Sequence, residues 1–248
     1  MNKIRWVVGT AVAVALIMAL GACASVPKLT GSEKIALVNF TIEKSIVKDG
    51  DSADPGPGIL NDRTAYYKYH NEALAKAWEV FKPSASSIFG ASRLVDISTV
   101  EGNADIMALT APPPPKVVMG KDTTVAAAYL YPEGLNYMNI YDAKLDAKIA
   151  AIAKADILVS IDNRATYAMS AGLAIGGIGG GKAKMILYST LIATTAQGKV
   201  LRQVQLKGVS KEDATFLGTG IDPKEYPRLI ASAQEDLNAK LAKEIAAW

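Results

Sequence analysis

Two side chains occur once each in this chain of 248 residues, Cys23 and His70, and their scarcity limits the chemistry open to it. A zinc site of the Cys/His type cannot be assembled from one histidine and one cysteine. A serine triad would have to use His70. That residue sits in Tyr66-Tyr67-Lys68-Tyr69-His70-Asn71-Glu72-Ala73-Leu74, close to an apolar stripe of Tyr67, Leu74, Trp78 and Phe81 at helical spacing. The position predicts a packed structural histidine. Carboxylate pairs and Ser/Lys arrangements need neither residue, and no spacing in the chain points to one.

Cys23 has a different setting. A lone cysteine has no internal disulfide partner and needs another use. Lys3 and Arg5 give the chain a basic start, residues 6–20 are uncharged and largely apolar, and Gly21-Ala22 brings small residues up to the cysteine. The apolar run is too short to span a bilayer comfortably, and its small-residue end suits a peptidase, so residues 1–22 read as an export signal.

Leu20-Gly21-Ala22-Cys23 resembles the lipobox of bacterial lipoproteins, whose cysteine is diacylated, becomes the first residue after cleavage and is usually acylated again. The resemblance implies lipidation of Cys23. Each buried methylene contributes about 0.8 kcal/mol, so two or three acyl chains anchor a protein stably. The residue after the cysteine biases sorting in such proteins. Here it is Ala24 rather than aspartate, which implies the outer membrane, with the domain facing the periplasm. Residues 23–33 form a short tether, and 34–248 form the domain.

Without residues 1–22 the chain has 226 residues, 25 of them basic and 24 acidic. A formal charge near +1 and the lack of a basic run exclude a polyanion footprint, so no nucleic-acid partner is expected. No cofactor or metal is expected either. Half of the residues are hydrophobic, enough for one sizeable core.

The run Gly172-Leu173-Ala174-Ile175-Gly176-Gly177-Ile178-Gly179-Gly180-Gly181-Lys182 invites several readings. Its end matches part of a phosphate loop, but Ala183 replaces the hydroxyl that holds magnesium, and a strand rather than a helix is predicted to follow. Gly172, Gly176 and Gly180 form a small-xxx-small series, yet the uncharged stretch 165–181 is marginal for a span and too rich in glycine for a helix. A barrel strand would alternate apolar and polar residues more cleanly. The expectation is an apolar loop between Ile161 and Met185 that marks a contact surface.

The elements around these residues follow from periodicity. Residues 35–42 read as a buried strand and 48–61 as a loop. A helix capped at Asn61 or Asp62 is predicted to end at Pro83. Residues 84–141 are irregular, either part of the core or an insertion; 93–97 read as a strand, 112–115 are four prolines, and 125–130 form a short helix or a strand. A helix over 142–155, a strand over 155–161, a hairpin turning at 196–199 and a terminal helix from about Pro227 complete the chain. The fold class is α/β: a single domain with a mixed β-sheet flanked by helices and a C-terminal helix.

Lys34-Ile35-Ala36-Leu37-Val38-Asn39-Phe40, Lys154-Ala155-Asp156-Ile157-Leu158-Val159 and the turn Ala196-Gln197-Gly198-Lys199-Val200-Leu201 carry a further resemblance. The chain is similar to a group of bacterial envelope proteins. That group includes the curli secretion channel subunit, the lipoprotein activators of penicillin-binding proteins, and the amino-terminal domain of the Tol-Pal β-propeller protein. The likeness covers about half of the chain after residue 22 and carries over no site residues. Together with the anchor it implies a non-catalytic lipoprotein that binds another envelope protein as adapter, assembly factor or regulator. The alternatives are a subunit of an oligomeric outer-membrane ring or pore and, with least support, a carboxylate-dependent envelope hydrolase.

Overall fold

Strand β1, Ile35–Glu43, is buried at every position but its last, so both faces of the sheet are covered where it lies. It runs parallel to β4, Ile157–Ile175, from Ile35↔Ile157 to Ile42↔Asn163. The computed structural model describes residues 29–43, 45–50, 63–109, 129–132, 135, 142–175, 178–218 and 220–248. Cys23, most of the 48–61 loop and the prolines at 112–115 lie outside them.

Eight strands form one sheet among the described residues. Besides β1 and β4 they are β2 (Val47–Lys48), β3 (Tyr129–Leu130), β5 (Ile178–Thr195), β6 (Val200–Val209), β7 (Ala214–Gly218) and β8 (Gly220–Ile221). β4 and β5 form an antiparallel hairpin registered from Ile157↔Thr195 at its base to Ile175↔Ile178 at its tip. At the base β1 flanks β4 and β6 flanks β5. Further along, β2 pairs with β4 and β7 with β5. Parallel β1–β4 and antiparallel neighbours make the sheet mixed, and helices flank it, as the residue pattern predicts. The turn between β5 and β6 falls at 196–199, also as predicted.

Among the described residues four α-helices accompany the sheet: α1 (Arg63–Phe89), α2 (Ala104–Leu109), α3 (Ala143–Ala153) and α4 (Tyr226–Ile245). The four-residue stripe of α4, Leu229, Ala233, Leu237, Leu241 and Ile245, is wholly buried. Pro227 stands in its first turn. Phe40 of β1 packs against α1, its ring 5.0 Å from Trp78 and 4.8 Å from Phe81. His70 is fully buried with its ring edge-on to Tyr226 at 5.1 Å, the packed histidine expected from its stripe.

Three local expectations are corrected. Helix α1 does not stop at Pro83 but runs through it to Phe89. Proline removes one backbone donor, and the burial of Ala85, Ile88 and Phe89 beyond it outweighs that loss. Residues 93–97 make a single parallel bridge, Leu94 to Ile35, rather than a strand, and the chain turns at once into a 3-10 helix capped by Asp96. The segment expected as an apolar loop is ordered strand: β4 and β5 continue through it to within two residues of each other. Glycine weakens a strand in isolation, but a continuous cross-strand ladder supplies the backbone partners that composition leaves out.

Candidate functional site

The chain enters the sheet at one end, where the Lys34 carbonyl accepts from the amides of Asp156 and Ile157 and the Lys34 amide donates to Asp156 Oδ2 at 2.8 Å. The hairpin tip lies at the other. Nineteen residues of β4 separate the two ends, about 60 Å at the usual rise of an extended strand.

Directly paired residues share a sheet face. Leu173 pairs with Gly180, which pairs with Leu217, so both leucines stand on one face with a glycine between them. They are 70% and 71% exposed, the two most exposed large hydrophobic residues described. A side chain at Gly180 would meet only Leu217, at 4.0 Å. The contact segment anticipated at Gly172, Gly176 and Gly180 is thus a hairpin tip presenting an apolar pair; Gly176 itself lies outside the described residues.

Gly172 does something else. Its φ is +126°, and a Cβ there would lie 2.3 Å from the Gly180 carbonyl oxygen and 2.7 Å from Gly181 Cα. Both strands are glycine where their backbones come this close, just beyond a bulge at Met169/Ala171. Gly172→Ala is expected to unpair the tip and leave the core intact. Amide exchange should accelerate over 171–182 with little change in the urea midpoint, whereas Gly180→Ala should leave both unchanged. Equal effects from the two variants would contradict this assignment.

Nearer the base, the same face carries a polar groove of about 580 Å³. Its floor includes the cross-strand rows Asp162–Thr190–Gln205 and Arg164–Tyr188. Asp162 Oδ1 accepts from Asn39 Nδ2 at 2.9 Å and Thr41 Oγ1 at 2.6 Å. Tyr188 donates to Asp49 at 3.2 Å, and Glu43 lies 3.4 Å from Arg164 Nε. The carboxylates are therefore held by donors of the protein itself. No group of three or more Asp, Glu, His or Cys among the described residues is placed to hold a metal. Asp49, Asp162 and Arg164 were not anticipated. The signal for Asp162 and Arg164 is the polar residue at every second position from Ser160 to Thr166, hidden inside a run whose first part reads as uniformly buried, and Asp49 lies in a stretch read as a loop.

The sheet edges differ in how they are closed. Along β6, helix α4 supplies the missing partners: Asp236 Oδ2 accepts from the Val209 amide at 2.9 Å, and Lys240 Nζ donates to the Lys207 carbonyl at 2.6 Å. Burial pushes the Asp236 carboxyl up, but the bound Lys240 ammonium and the Val209 amide outweigh this and hold it below its ordinary value. Along β4, by contrast, β1 reaches Asn163 and β2 reaches Tyr167, and no described strand pairs beyond. Residues 170–173 there are exposed.

No family model matches the chain, and no curated protein matches it in sequence. Among solved structures it is similar to the hypothetical protein CT253 from Chlamydia trachomatis. Identity is 8% and the TM-score 0.32, with 87% of this chain and 99% of that chain covered. A superposition that loose has no bearing on function.

Proposed function

We propose that this chain is a non-catalytic lipoprotein of a bacterial outer membrane, anchored through acylated Cys23, whose periplasmic domain holds another envelope protein as adapter, assembly factor or regulator. The observation that carries the reading is the separation of the two ends of the sheet. Residues 29–34 lead into the base of the sheet, and the exposed Leu173–Leu217 pair stands at the far end of the hairpin. Exposed apolar pairs on a rigid projection suit protein contact.

Two measurements test it. Cys23→Ala should leave the protein unacylated and its signal uncleaved by the lipoprotein peptidase; an unchanged mass and membrane fraction would remove the anchor. A photo-crosslinker at position 173 of the full-length protein in its membrane should capture a distinct protein, and one at Gln203 should not. Adducts with copies of the chain alone would overturn the adapter.

The same apolar tip favours a second reading, a subunit of an oligomeric ring or pore with its contacts at 172–181. Light scattering of the lipidated protein in mild detergent separates the two: a discrete large multimer, lost on deletion of 171–181, supports the ring, and a monomer or dimer supports the adapter.

A further inference from the structure

We infer that the partner is held by strand addition, as an extended polypeptide segment bearing acidic residues, laid along the edge of β4 over residues 169–175 that no described strand pairs. The inference rests on the adapter reading and specifies how the contact is made.

An unpaired edge strand is a template for another chain, and folds normally guard it with charge, proline, a covering element or side chains that occupy the backbone groups. This fold guards β6 in the last way, through Asp236 and Lys240. Among the described residues the distal edge of β4 has none of the first three: residues 165–181 contain no charge and no proline, and residues 170–173 are exposed. The bulge at Met169/Ala171 and the φ of +126° at Gly172 kink this edge locally, and β4 keeps regular register with β5 from Ala171 to Ile175.

Charge selects the occupant. On the face that carries Leu173, the rows behind the tip are Ala171–Lys182–Thr215 and Ala168–Lys184. Lys182 is exposed and Lys184 half-buried, its ammonium resting on the Lys211 carbonyl at 3.1 Å. The nearby carboxylate, Asp213, accepts from the Ser170 hydroxyl at 2.6 Å and keeps its charge, so the two lysines leave this face with a net positive charge. An added strand would therefore set an apolar residue beside Leu173 and find two cations within reach of its acidic side chains. A second copy fits poorly, because its own edge is uncharged and pairing would bring the two lysine pairs towards each other.

The test uses the full chain without its signal and two labelled, capped peptides of alternating sequence, (Glu-Val)4 and (Lys-Val)4. The acidic peptide should bind by fluorescence anisotropy and slow amide exchange over 169–175; the basic one should do neither. Lys182→Glu/Lys184→Glu should weaken the acidic peptide about tenfold or more and admit the basic one. Equal binding of both peptides, protection elsewhere on the sheet, or dimerisation through this edge would overturn the proposal. If neither peptide binds while the position-173 crosslinker still captures a distinct protein, strand addition fails and the adapter stands.

Discussion

Raising the pH from about 4 to about 8 is expected to remove about 4 kcal/mol of stability through Asp146 alone, and Asp146→Asn is expected to restore it. Asp146 lies in the first turn of α3, is fully buried, and neither of its carboxylate oxygens has a hydrogen-bond partner among the described residues. Burial, with a smaller contribution from the charge of Asp142 one turn away, pushes its pKa up from 3.8 to about 7. Asp142 cannot be spared, since its side chain caps the helix by accepting from the Lys144 and Leu145 amides at 3.0 and 3.2 Å.

The sign follows from proton counting. Between the unfolded and folded values the native state keeps a proton that the unfolded chain has lost, so stability falls as pH rises, by up to about 1.4 kcal/mol for each pH unit. The loss is complete above the folded value. Urea denaturation at a series of pH values should show the wild type and Asp146→Asn close together near pH 4 and separated by several kcal/mol near pH 8. Parallel curves would refute the assignment.

Gly208→Ala should be the most damaging single-methyl substitution in the sheet. A Cβ at 208 would lie 2.2 Å from the Ala233 carbonyl oxygen and 2.8 Å from Leu237 Cβ. Both belong to α4, and the first is backbone, so no rotamer change relieves the clash. The helix must lift from β6, loosening a stripe in which Leu229, Ala233, Leu237 and Leu241 are wholly buried. Forced overpacking of this kind costs about 3 kcal/mol, visible as a lower urea midpoint at unchanged slope. A loss below about 1 kcal/mol would mean that α4 slides freely over the sheet. Asp236 and Lys240, which tie the helix to the edge of β6, argue against such sliding.

Periodicity alone determined much of this protein. The buried run of β1, the turn at 196–199, the helix within 142–155 and the apolar stripe of α4 are local patterns, and each folds as its residues dictate. The class of the fold follows from their order. Nearest-neighbour patterns could not determine what depends on a partner distant in the chain. Pro83 is passed because residues beyond it are buried, a matter of what α1 packs against. The glycines at 172 and 181 are strand because each faces the other across a ladder, and the leucines at 173 and 217 form one patch because β5 lies between them. The groove of Asp49, Asp162, Arg164 and Tyr188 joins residues from two strands and from the turn after β2 that no spacing connects. Burial and cross-strand register are properties of the assembled sheet, and they decided where the exposed apolar pair of this domain lies.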